Sequence, residues 1–63
     1  MNIESKLWKV RATIAHSVAV IQKATGATRY VTISHLPDVV ELAAMNEAKF
    51  DRVCRDVFHE AAP

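Results

Sequence analysis

Residues 3–25 read IESKLWKVRATIAHSVAVIQKAT, and the interpretation of this stretch decides the fold. Ile3, Leu7, Val10, Ile14, Ile21 and Ala24 recur at alternating steps of four and three, and Ser17 occupies the one missing place. Val18 and Thr25 flank that stripe. Such spacing predicts a one-sided helix of about three heptads, close to a coiled-coil seam. Asn2 is placed to cap its start. Glu4 and Lys23 complement the positive and negative ends of the helix dipole. Gly26, the only glycine in the chain, fits the position after the last helical residue, where a left-handed conformation costs glycine nothing.

Trp8, Ala12, Ala15 and Ala19 align on the opposite side of that predicted helix, at 3.6 residues per turn. A tryptophan beside three alanines makes a flat strip open to a close backbone approach. Alanine is also simply the best helix former.

Residues 27–36, ATRYVTISHL, change character. Thr28, Tyr30, Val31, Thr32 and Ile33 are β-branched or aromatic and favour an extended strand. With helices on both sides, such a strand has no partner within the chain, so it is expected to be an extended crossing or to pair with the same segment of a second subunit. A second helix begins near Pro37, which is tolerated in a first turn. Its apolar face is Val39, Leu42, Ala43, Phe50, Val53, Cys54, Val57, Phe58 and Ala61. Asn46 and Glu47 interrupt that face. Continuity through Asn46 is the favoured expectation, since no glycine or proline marks a break; the rival is a separate helix from Glu47 to Glu60 capped by Asn46.

The fold expected is therefore all-α. It is an antiparallel helical hairpin with helices at about 3–25 and 37–61 and a connector at 27–36, dimerising into a four-helix bundle. The two halves differ in charge. Residues 1–37 hold Lys6, Lys9, Arg11, Lys23 and Arg29 against Glu4, a balance of +4; residues 38–63 hold Lys49, Arg52 and Arg55 against Asp38, Glu41, Glu47, Asp51, Asp56 and Glu60, a balance of −3. Sixty-three residues make one small domain, whose core rarely supplies more than roughly 3–5 kcal/mol unaided. A hydrophobic content of 51% then points to burial against another subunit, a homodimer.

Chemistry is sparse. His16, His35 and His59 fall in different elements and read as ordinary histidines. Cys54 lies in the apolar stripe and reads as a small buried hydrophobe. Asp51–Arg55 and Arg52–Asp56 are helix-surface pairs worth about 0.2–0.5 kcal/mol each. No phosphate-binding glycine loop, zinc-ligand spacing or catalytic set is found, so no enzyme, cofactor or metal is expected. No apolar leader or run of about 18 apolar residues is present, and with a lone cysteine a cytoplasmic protein is expected.

The leading expectation is a small non-enzymatic regulator of bacterial or phage type, an inhibitor or adaptor that contacts a larger protein. Trp8, Tyr30, Arg52 and Arg55 are residue types enriched at binding hot spots, and Ala12, Ala15 and Ala19 extend the tryptophan strip. The alternative is a small dimeric DNA-binding regulator using Lys6, Lys9, Lys23 and Arg29, a strip around Thr13 and His16. The run LAAMNEAKFDRVCR, residues 42–55, also resembles the helix-turn-helix of small transcription regulators, though the usual turn glycine is absent and no family is assigned on it.

Overall fold

In the computed structural model, which describes residues 2–61, the stretch 3–25 is no helix but the larger part of a sheet. Strands β1 (Asn2–Glu4), β2 (Trp8–Ala12), β3 (Ser17–Gln22) and β4 (Thr28–Thr32) form one antiparallel sheet in the order 1-2-3-4. A single 3-10 turn (Ile33–His35) leads to helices α1 (Val39–Ala44) and α2 (Glu47–Glu60). The fold is thus a four-stranded meander with two helices, and the all-α hairpin and four-helix bundle are overturned.

The reason lies in the turns. Ser5 closes the β1–β2 hairpin: its N–H donates to the Trp8 carbonyl at 2.8 Å, and its hydroxyl accepts from the Trp8 N–H at 3.1 Å. The serine hydroxyl therefore does what an asparagine or aspartate side chain does in commoner turns. The β2–β3 hairpin turns at Ala15 and His16, with φ of 58° and 60°. Two adjacent positive φ values match the twist of the flanking strands, at a cost of about 1–2 kcal/mol per non-glycine residue. Neither turn carries the usual sequence punctuation. Gly26, with φ of 76°, belongs to the β3–β4 turn and stops no helix; its N–H donates to the Gln22 carbonyl at 2.8 Å.

The apparent heptad stripe scatters. Ile3 and Val10 are cross-strand neighbours facing the helices. Leu7 and Ile14 sit in turns, Ile14 being 87% exposed. Ile21 has the opposite strand parity to Val18 and Val20 and so faces away. The period that decides the structure is two: Trp8, Val10, Val18, Val20 and Val31 alternate with Lys9, Arg11, Ala19 and Tyr30. The first set meets Leu42 of α1 and Phe50, Cys54, Val57 and Phe58 of α2 in one core. Each large apolar side chain so buried contributes about 1.5–3 kcal/mol.

The second helical region breaks where the less favoured expectation put it. Asn46 caps α2, its Oδ1 accepting from the Lys49 N–H at 2.8 Å. The carboxyl of Asp38 at the head of α1 makes no such bond, and helix begins only at Val39, not Pro37. With α1 six residues long, the helix-turn-helix likeness keeps its break but has a first helix of under two turns. The aromatic centre is Trp8 against Phe58, an edge-to-face pair with centroids 5.3 Å apart.

Candidate functional site

β4 is an end strand of the sheet, and its outer edge has no neighbouring strand among the described residues. Two hydrogen bonds fix which way its main chain faces: Gln22 N–H donates to the Ala27 carbonyl at 2.9 Å, and Ile33 N–H donates to the His16 carbonyl at 2.8 Å. These pairs lie on the same antiparallel register as Val20↔Arg29 and Val18↔Val31. Hydrogen-bonded and non-bonded pairs alternate along such a ladder, so residues 27, 29, 31 and 33 turn their main chain to β3. Thr28, Tyr30 and Thr32 turn their N–H and C=O groups outward. These three residues are exposed, Tyr30 by 63%.

Arg29 is the one charged residue of β4, and it is turned inward. Its guanidinium lies 4.2 Å from the centroid of the Phe58 ring, and Nη1 donates to the Phe58 carbonyl at 2.6 Å and the Ala61 carbonyl at 3.4 Å. The arginine thereby takes up carbonyls at the C-terminal end of α2, where a cation also complements the helix dipole. It ties the edge strand to the helix and leaves the edge itself uncharged.

Between that edge and the helix lies an open groove of about 390 Å³ lined by Tyr30, Val31, Thr32, His35, Val57, Glu60 and Ala61. An extended chain laid along β4 meets main-chain groups on its inner side and this groove beneath alternate side chains. Recognition by strand addition combines those two components.

The residues singled out from sequence disperse over the molecule. Trp8 is 5% exposed and belongs to the core, so it is no surface contact. The alanine strip does not exist as a strip: Ala15 is in the hairpin turn, Ala12 ends β2, and Ala19 is buried on the open sheet face between Arg11 and Tyr30. Arg52 and Arg55 are exposed on α2, Arg55 lying 3.5 Å from Asp56. Tyr30 keeps its exposure, on the sheet face that the helices leave uncovered. The cation strip dissolves too. Lys23 lies 3.5 Å from Glu4 and donates to the Ser5 carbonyl at 2.8 Å, and Arg29 is engaged under α2. Lys9 shares the open face with Arg11 and Tyr30 by strand parity, while Lys6 is in the β1–β2 turn.

Of the helix pairs read from sequence, Asp51 instead accepts a hydrogen bond from the Ser5 hydroxyl at 2.5 Å. Cys54 is wholly buried, and burial, with a smaller contribution from the Asp51 charge, pushes its thiol up to about 12. Among the described residues no three His, Cys, Asp or Glu side chains gather as a metal site, and no helix is long and apolar enough to cross a membrane. Sequence reasoning found the strand character of residues 28–32 but not the groove. Val57, Glu60 and Ala61 reach it only because β4 pairs with β3 and passes beneath the end of α2, a long-range placement with no local signal. Comparison of the chain with known protein families, curated proteins and solved structures finds no match.

Proposed function

We propose that the chain is a small, non-enzymatic regulatory protein that acts by protein–protein contact, taking an extended segment of a larger protein as a fifth strand on β4. The observation that carries this reading is the outward row of main-chain groups at Thr28, Tyr30 and Thr32 beside the groove of about 390 Å³. Main-chain pairing supplies affinity that depends little on partner sequence, and the groove supplies selectivity through alternate side chains. The exposed tyrosine adds a rigid, amphipathic contact of the type enriched at hot spots. A cytoplasmic setting suits the single unpaired cysteine.

Selection of displayed random peptides on the folded protein tests this reading. Selected peptides are expected to be extended, to protect the Thr28, Tyr30 and Thr32 amides from exchange, and to lose about tenfold or more in affinity with Thr32→Pro. That substitution suits the backbone, because Thr32 already has φ of −70° and its N–H faces away from β3. Peptides that bind while leaving those amides unprotected end the proposal.

A second reading, nucleic-acid contact, draws on one observation: the open sheet face places Tyr30 one strand beyond Ala19 from Arg11, with Lys9 on the same face. Aromatic stacking beside cations suits single strands, so this differs from the helix-borne strip and helix-turn-helix expected from sequence. Absence of oligonucleotide binding at low salt, where phosphate contacts are strongest, ends it.

A further inference from the structure

We infer that the β4 edge also accepts β4 of a second copy of this chain, giving a homodimer with one continuous eight-stranded antiparallel sheet. The inference rests on the same edge as the capture reading and adds how that edge is regulated, since self-pairing covers it. The register is self-complementary. With Tyr30 opposite Tyr30 of the second copy, Thr28 falls opposite Thr32, and Arg29 opposite Val31. Every outward-facing residue of one copy then meets an outward-facing residue of the other, as a hydrogen-bonded antiparallel pair requires. An odd-numbered row of three such residues, centred on Tyr30, has this property; shifting the register by one residue destroys it.

The side chains fit the same arrangement. Thr–Thr and aromatic–aromatic pairs directly opposite one another stabilise antiparallel strands. No charge is opposed at the seam, because Arg29 is engaged by the Phe58 ring and the α2 carbonyls. The edge also lacks the usual protections against association. β4 is five residues long, unlike a blunted edge, and carries no outward lysine, no proline and no bulge. The twofold axis of this pairing stands perpendicular to the sheet. Both copies therefore keep their helices on one side, and the two grooves beside β4 come to lie along the seam. Such an interface is isologous and closed, and it does not propagate into fibres.

Sedimentation equilibrium from micromolar to millimolar concentration, with hydrogen exchange read at single amides, tests the inference. The expected result is a monomer–dimer equilibrium in which exchange at Thr28, Tyr30 and Thr32 slows about tenfold or more as the dimer fills, while exchange at β1 does not change. Tyr30→Lys places like charges opposite each other at the axis and is expected to weaken the dimer about tenfold or more. Thr32→Pro is expected to weaken the dimer and the binding of a selected peptide alike, each about tenfold or more. A chain that is monomeric at millimolar concentration, or a dimer whose three amides exchange as freely as in the monomer, overturns the inference. Either result leaves the peptide selection to judge the capture reading on its own. The wild-type exchange measurement decides the matter even if a variant fails to fold.

Discussion

The two edges of the sheet are built differently. β1 is three residues long and ends in Glu4, whose carboxylate lies 3.5 Å from Lys23. The next residue, Ser5, is bound to Asp51 of α2. β4 is five residues long, its one charge turned inward onto Phe58 and the α2 carbonyls. Short length and an exposed charge are the means by which proteins close an edge to further strands. One edge of this sheet therefore carries those protections, and the other lacks them. Both are anchored to the same helix, the first by a hydroxyl–carboxylate bond and the second by an arginine, so both are held in place while only one remains available.

The sharpest way to break this contrast is at the β4 anchor. Phe58→Ala removes a ring that is 4% exposed, packed on Trp8 and lying beneath Arg29. A loss of about 3–5 kcal/mol in urea unfolding is expected. A loss below about 1 kcal/mol, the small end of mutational effects, would mean that the ring is not the anchor. Arg29→Met keeps much of the apolar stem and removes the guanidinium. An expected loss of about 1.5–3 kcal/mol reflects charge-assisted bonds to carbonyls, with faster exchange confined to β4 and the last turn of α2. Uniform acceleration across the sheet would contradict a local tie.

At the β1 edge, Ser5→Ala removes the bond to Asp51 and the turn contact to Trp8. About 1–2 kcal/mol is expected for two modest hydrogen bonds, with β1 amides affected and β4 amides not. Glu4→Gln is the mildest change. Its ion pair with Lys23 is solvent-exposed, so at most about 1 kcal/mol is expected, fading as salt is raised. The same variant sharpens the comparison: if it alone makes β1 bind strand peptides, charge is what closes that edge. Continued silence at β1 would assign the closure to length.

Some of this was legible in the residues. Thr28, Tyr30, Val31 and Thr32 announce an extended segment, and β4 is one. Phe50, Cys54, Val57 and Phe58 mark the buried face of α2, and Asn46 is a recognisable cap, although no glycine or proline beside it marks a break. The first half hides its strands for a physical reason. Its hairpins turn on Ser5 and on Ala15–His16, which lack the glycine and asparagine that ordinarily signal such turns. With the turns silent, Leu7 and Ile14 slot into a helical period that they serve nowhere in the structure. The true alternation spans only five residues in Trp8–Ala12, too short to outweigh a stripe running through three heptads. The site was half legible: Tyr30 and the strand carrying it were visible, while the groove depended on a pairing hidden by the same silent turns.

Cys54 sits at the centre of the layer between sheet and helix, its proton held well above neutral pH by burial. Its complete burial shields the sulfur from alkylating reagents while α2 is seated on the sheet. It becomes reactive only when α2 lifts away from the strands. The chain thus carries its own stopwatch: the rate at which a thiol reagent consumes this one sulfur counts the openings of α2 from the sheet. A bound strand or second copy that steadies β4 against α2 will slow that clock without touching the sulfur.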